Sequence, residues 1–195
     1  MRLREAARDQ TAFAILDAAE AVFAQHGLHA AKMGQIAHAA GIAVGTLYNY
    51  FQDRDAILRG LLERRGQELR DRVARACAAP HVSFASELGA VAAAFAGSCV
   101  EHARFIRIMM QAETSATGPA LKRDFMLSIF AEIDQRITAV MDRGVKEGAL
   151  RAAPPALLAR ALMALMKAVL VPTSDGERVS ADLIVDLFLH GAAPR

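Results

Sequence analysis

The chain has 195 residues, 54% of them hydrophobic, with two cysteines and a formal net charge of +2 at neutral pH. That length and apolar content supply a sizeable core and exclude a disordered chain, while two cysteines, Cys77 and Cys99, exclude a disulfide framework. The charge is too small to argue for nucleic acid by itself, although its excess lies in residues 1–75, with 11 Lys+Arg against 9 Asp+Glu, and residues 76–195 carry 12 of each. No charged-then-apolar leader opens the chain, and its most apolar long run, Pro154 to Pro172, is interrupted by Arg160 and Lys167. A soluble chain in a reducing cytoplasm, with no membrane span, is the expectation.

The opening segment MRLREAARDQ sets Arg2, Arg4 and Arg8 ahead of a helix whose expected cap is Asp9 or Thr11. Those arginines are either a solvated terminus or a basic arm able to touch phosphates. From Ala12, the residues Ile15, Ala19, Val22 and Phe23 form one apolar stripe, with Leu16 beside them and Gly27 as the stop. Met33, Ile36, Ala37 and Ala40 then recur at the spacing of one buried helical face, and Gly41 ends that helix. In the next segment, VGTLYNYF, Leu47 and Phe51 lie one turn apart and face inward. Val44, Gly45, Thr46, Tyr48, Asn49 and Tyr50 are left around the remaining surface, which has no charge until Arg54. Two short helices joined by a glycine turn, the second offering hydroxyls, an amide and a bare glycine, form the helix-turn-helix layout that places a recognition helix in the DNA major groove.

The residues Ile36, Ala37, Ala40-Gly41-Ile42, Gly45-Thr46-Leu47-Tyr48, Tyr50-Phe51 and Ala56-Ile57-Leu58 resemble the DNA-binding segment of the TetR family of bacterial one-component transcriptional regulators. The resemblance is close from Gln10 to Leu62 and architectural beyond. It implies an all-α fold, with a helix-turn-helix DNA-binding domain over residues 1–56 and a helical effector-binding and dimerisation domain over residues 57–195. It also implies a homodimer on a double-stranded, inverted-repeat operator, acting as a repressor and released by a small hydrophobic effector. Thr46, Tyr48 and Tyr50 fall where relatives touch DNA. Arg54, after the cap Asp53, falls on the lysine with which relatives grip the backbone at the start of the fourth helix. With Lys32 as a phosphate holder and Val44, Gly45 and Asn49 on the same surface, these residues are the expected DNA-binding set. The chain departs from the family pattern at Ala43, where relatives carry a capping Ser or Thr. It departs again at Val44, which can meet a thymine methyl but cannot hydrogen-bond a base edge. Lys32 and Met33 replace two threonines, and Gly34 has no side chain with which to read a base, so readout falls on the recognition helix.

From Asp53 the helical pattern runs through Ile57, Leu58, Leu61, Leu62, Leu69 and Val73 to about Ala78, and the charged part beyond Leu62 is expected to be a solvated face. Phe84, Leu88, Val91 and Phe95 continue onto Ser98, Cys99 and His102, followed by Phe105, Ile106, Ile108, Met109 and Met110. The segment from Ala120 to Glu147 turns Leu121, Phe125, Ile129, Ile133, Ile137, Val140 and Met141 inward, with Ser128 among them. Six of the eight methionines lie beyond residue 100. Adaptable Met and Phe walls with a few polar groups suit a pocket for a hydrophobic molecule, so Phe95, Ser98, His102, Phe105, Met109, Phe125 and Ser128 are the effector-binding candidates. Plain core packing is the competing reading of each.

Cys99 and His102 stand at i and i+3, but no third ligand has the spacing for a metal. No nucleophile elbow, phosphate loop or HExxH motif is present, so neither catalytic residues nor a cofactor are expected. The rival reading is a helical enzyme or small-molecule carrier with an incidental helix-turn-helix. The last two helices, Pro154 to Pro172 and Ser180 to His190, carry leucine stripes, the first interleaved with alanines that allow close helix approach. Relatives pair these helices with their copies, which makes Leu158, Leu162, Leu165, Met166, Leu183 and Leu187 the expected dimer interface, with packing inside one chain as the alternative.

Overall fold

The computed structural model describes residues 2–111, 118–167 and 180–192, without the side chains of residues 2–5, 109–111, 118–122, 125–126 and 192. Helices α1 (Arg2–His26), α2 (Met33–Ala39), α3 (Val44–Tyr50), α4 (Arg54–Ala78), α5 (Phe84–Glu101), α6 (Ala103–Gln111), α7 (Gly118–Lys146), α8 (Pro155–Lys167) and α9 (Ala181–Ala192) follow one another. No strand occurs among the described residues. The fold is all-α.

Local chemistry sets the helix ends. Gly27, Gly41 and Gly148, after α1, α2 and α7, have φ of 81°, 68° and 74°, a region in which a Cβ would crowd the backbone. Asp53 Oδ1 accepts the Ala56 N–H at 2.6 Å and caps α4. Helix α1 starts well before the expected cap. Thr11 is inside it, its hydroxyl donating to the Ala7 carbonyl at 2.9 Å, and Asp9 is a helix-interior residue too. The positions of Arg2 and Arg4 are therefore helical as well, although their side chains lie outside the described set.

The chain divides into two compact units, the first Met1–Arg65 with Ala103–Phe125, the second Gly66–His102 with Met126–Arg195. The expected boundary after residue 56 places everything later in the second domain. The break does fall within α4, but further along, and α6 joins the first unit. At His102, with φ −105° and ψ 33°, α5 ends and the chain restarts as a separate helix.

In the first unit Ile15, Leu16, Ala19, Val22 and Phe23 of α1 pack with Ile36 and Ala37 of α2, Leu47 of α3, Leu58, Leu61 and Leu62 of α4, and Phe105 and Ile108 of α6. Helices of seven residues, the length of α2 and α3, do not persist alone in water. Ile36 and Leu47, both fully buried, hold them, each contributing about 1.5–3 kcal/mol of burial. Glu20 on α1, itself buried, accepts from Arg65 Nη2 and Nε on α4 at 2.6 and 2.9 Å, and Asp17 pairs with Arg64 at 2.9 Å.

In the second unit α5, α8 and α9 pack on one another. Leu88, Val91 and Phe95 of α5, Leu158, Leu162 and Met166 of α8, and Ile184 and Phe188 of α9 are buried. Phe95 meets Phe130 of α7 with ring centroids 6.4 Å apart. Gly144 lets α7 approach Phe84, since a Cβ there would stand 2.5 Å from the ring. The charged half of α4 is not simply a solvated face. Arg70 pairs with Glu132 of α7 at 3.3 Å, Arg72 with Glu101 of α5 at 2.5 Å, and Glu68 lies 3.3 Å from His102 Nε2. Among the described residues α5 has the length and composition to cross a membrane, and its buried residues are part of this unit's core.

Candidate nucleic-acid interface and the C-terminal surfaces

Helix α2 starts at Lys32, whose N–H donates to the Gln35 side-chain oxygen at 2.9 Å. It ends in a paired turn in which Ile42 N–H donates to the Ala37 carbonyl at 3.0 Å and Gly41 N–H to the His38 carbonyl at 3.1 Å. Those two bonds satisfy carbonyls that the helix end would leave orphaned, and the positive φ of Gly41 makes them possible. The chain then enters α3 through Ala43, with φ −67° and ψ 147° and no side-chain cap.

Leu47 is the buried residue of α3 and fixes which side turns away. Val44 and Tyr48, 45% and 51% exposed, stack one turn apart, and Gly45 and Asn49 stand beside them at the same spacing, also exposed. A Cβ placed on Gly45 would meet nothing within 4 Å, so the backbone there is open to a close approach. Thr46 is half-buried on the flank, and Lys32 is exposed at the start of α2. This surface offers a methyl pair, a phenol and an amide with no formal charge, which suits groove edges and thymine methyls.

The remaining two members of the expected set are partly committed within the protein. Tyr50 is half-buried against the first unit's core, and the Arg8 guanidinium lies 5.9 Å from its ring centroid. Arg54 was expected to grip a phosphate. Its Nη1 donates instead to the His29 carbonyl at 2.6 Å, tying the loop before α2 to the start of α4, and its Nε is buried without a hydrogen-bond partner. Such an interaction between residues 25 apart has no signature in sequence.

The effector candidates are divided between the two units. Phe95, Ser98 and His102 are buried in the second unit, with His102 beside Glu68. Phe105 is buried in the core of the first unit, against α1 and α4, and Ser128 is exposed rather than inward. The side chains of Met109 and Phe125 lie outside the described residues. Two aromatic features of the second unit escaped the sequence reading: Phe130 beside Phe95, and Lys167 Nζ 4.8 Å from the Phe130 centroid. Elsewhere in this unit Cys77, His81, Ser83, Glu87, Arg143 and Glu147 line a cleft of about 470 Å³. Burial pushes the Cys77 thiol up, the neighbouring Glu87 adds to the shift, and Arg143 is the ion-pair partner of Glu87. A thiol pushed up by burial is less readily ionised than a free one, and the carboxylate beside it is ion-paired. Among the described residues no three metal-ligating side chains come together.

The expected dimer residues split in two. Leu158, Leu162 and Met166 are 7%, 0% and 0% exposed, taken up by the chain's own core, and so are not available to a partner in this conformation. Leu165 is half-buried. Leu183 and Leu187 face outward on α9, 47% and 53% exposed, and Leu157, one position from the expected Leu158, is 60% exposed on α8.

Fold and surface define an all-α protein with a helix-turn-helix unit followed by a unit of longer helices. Residues 15–61 match the family model described as "Bacterial regulatory proteins, tetR family". Over 54 residues, 27% of this chain and 28% of that protein, the sequence is 44% identical to the "Fatty acid metabolism regulator protein" of Bacillus subtilis (strain 168). Over 53 residues, 25% and 26% of the two chains, it is 45% identical to the "HTH-type transcriptional repressor KstR2" of Rhodococcus jostii (strain RHA1). The match thus spans little more than a quarter of the length of these curated relatives. The solved structure of the transcriptional regulator FadR from Bacillus subtilis in complex with stearoyl-CoA superposes with a TM-score of 0.72 at 17% identity, covering 91% of this chain and 95% of that one. At that identity the likeness is one of fold. Residues 15–61 are thus similar in sequence to the DNA-binding segment of the TetR family, and the chain as a whole is similar in fold to solved structures described as regulators of that family.

Proposed function

We propose that the chain is a ligand-responsive transcriptional repressor that holds an inverted-repeat operator as a homodimer and is released by a small hydrophobic effector. The observation that carries this is the open, uncharged face of Val44, Gly45, Tyr48 and Asn49 on a helix anchored from behind by Leu47. A seven-residue recognition helix reaches only a few base pairs, so useful affinity calls for two copies about 34–36 Å apart, or a multiple, along one face of the duplex. The outward leucines 157, 183 and 187 offer a surface for the second copy. One relative is described as a transcriptional repressor, and the FadR structure holds stearoyl-CoA, a long apolar acyl chain on a polar, anionic carrier. In this reading the effector meets the second unit at Phe95, Ser98, His102 and Phe130, and the protein acts in the cytoplasm as a regulator rather than an enzyme.

Switching needs an element that both ligands can bias. Helix α4 is suited to this because Ile57, Leu58, Leu61 and Leu62 belong to the first unit's core while Val73 is buried in its later half. A coupling of about 1–3 kcal/mol, a 5–150-fold loss of operator affinity, is the expected scale, and operator must weaken effector binding by the same factor. The test is a pair of titrations of the full-length protein: the DNA upstream of its own gene against an unrelated duplex, each with and without stearoyl-CoA. Preference for the upstream duplex that falls on adding the acyl-CoA supports the reading. Equal affinity for both duplexes at every salt concentration would sink it.

A further inference from the structure

We propose that Arg8 is a phosphate-gripping residue of the DNA interface and that the ring of Tyr50 positions it. This rests on the DNA-binding reading above. The recognition helix Val44–Tyr50 contains no charged residue, so the electrostatic part of its affinity must come from cations beside it. Arg54 is poorly placed for that role, with one nitrogen on the His29 carbonyl and Nε buried. Arg8 is exposed, and its guanidinium carbon lies 5.9 Å from the Tyr50 centroid.

An aromatic face within about 6 Å attracts a guanidinium and leaves its N–H donors for a phosphate. Tyr50 is itself immobilised by packing on the first unit's core, and it is the last residue of α3, so the cation it holds stands where the recognition helix leaves the groove. Arg8 is carried by a helix that begins at Arg2, not by an extended arm, so its reach is set by the fold. The ring and the helix together bias Arg8 toward this position.

The experiment measures the affinity of the full-length protein for the duplex upstream of its gene across a salt series, for wild type, Arg8→Ala, Tyr50→Leu and the double variant, with thermal unfolding of each. Arg8→Ala is expected to lower the slope of log affinity against log salt by about 1 per protomer. Tyr50→Leu should weaken binding several-fold when Arg8 is present and much less when it is already alanine. An unchanged salt slope in Arg8→Ala, whether or not stability falls, overturns the proposal and leaves Arg8 as a packing partner of Tyr50. A wild-type protein that binds no duplex at all removes the DNA-binding reading itself, and this inference with it.

Discussion

Helix α3 buries one of its seven residues, Leu47, whereas α8 buries five of thirteen and still leaves Leu157 60% exposed. The two helices have different obligations. A helix whose outer face meets a polar partner needs only enough apolar surface to hold its back to the core, so its few large apolar residues say which side turns in. A helix that is apolar on two sides must divide them between its own core and another surface. Periodicity registers both sides as one hydrophobic element.

Leu162 and Leu187 break that comparison most sharply. Leu162 is fully buried, so Leu162→Asp removes its packing and places a carboxylate in the core, a loss of more than about 5 kcal/mol that should unfold the second unit. Leu187 is half exposed on α9, so Leu187→Asp should leave each chain folded, with its circular dichroism unchanged, while sedimentation reports monomers. A Leu187→Asp protein that still sediments as a dimer would move the interface away from the outward face of α9.

Phe105 tests the division of the chain. Buried among residues of α1 and α4, it should cost about 3–5 kcal/mol when replaced by alanine, and DNA binding should suffer with no effector present. Had it lined an effector site, Phe105→Ala would lower effector affinity and spare the effector-free complex with DNA. Urea unfolding and operator titration of the same preparation separate these outcomes.

How far the sequence was legible follows from the range over which each signal acts. The stops at Gly27, Gly41 and Gly148, the cap at Asp53 and the missing cap at Ala43 are local chemistry within a few residues, and each could be read from its neighbours. The break at His102 has no such signal, because Phe95, Ser98, His102 and Phe105 keep helical spacing across it. The partner of Arg65 is Glu20, 45 residues away, and nothing near either residue announces it. On α8, Leu157 and Leu158 are adjacent and chemically identical, and only the packed structure separates the outward one from the inward one. In the DNA-binding segment the surface was legible because resemblance and periodicity agreed there. The committed state of Arg54 was not.

Arg54 and Lys32 sharpen the comparison within the first unit. Arg54→Ala removes the bond to the His29 carbonyl and should destabilise the unit by about 1–2 kcal/mol, with DNA affinity falling because the loop before α2 is loosened. Lys32 is exposed, so Lys32→Ala should leave thermal unfolding in place and reduce the salt dependence of binding on specific and unrelated DNA alike. A Lys32→Ala protein with an unaltered salt slope would take it out of the phosphate contacts.

The smallest effect is expected at Ala43. Helices α5 and α9 open on serines that do cap them, Ser83 Oγ accepting the Ser86 N–H and Ser180 Oγ the Leu183 N–H, both at 3.1 Å. Helix α3 opens on an alanine whose backbone, at φ −67° and ψ 147°, already has the extended form a capping residue needs. Ala43 is exposed, so an added hydroxyl meets solvent on one side and the first free N–H groups of α3 on the other. Ala43→Ser should therefore stabilise the first unit by about 1 kcal/mol, read as a higher urea midpoint at constant slope and slower amide exchange through Val44–Tyr50. Operator affinity should rise slightly if helix ordering limits it, and fall if those N–H groups are themselves used to hold a phosphate. A midpoint that does not move would mean that water already satisfies the start of α3 as well as a side chain can, and that the alanine costs this helix nothing.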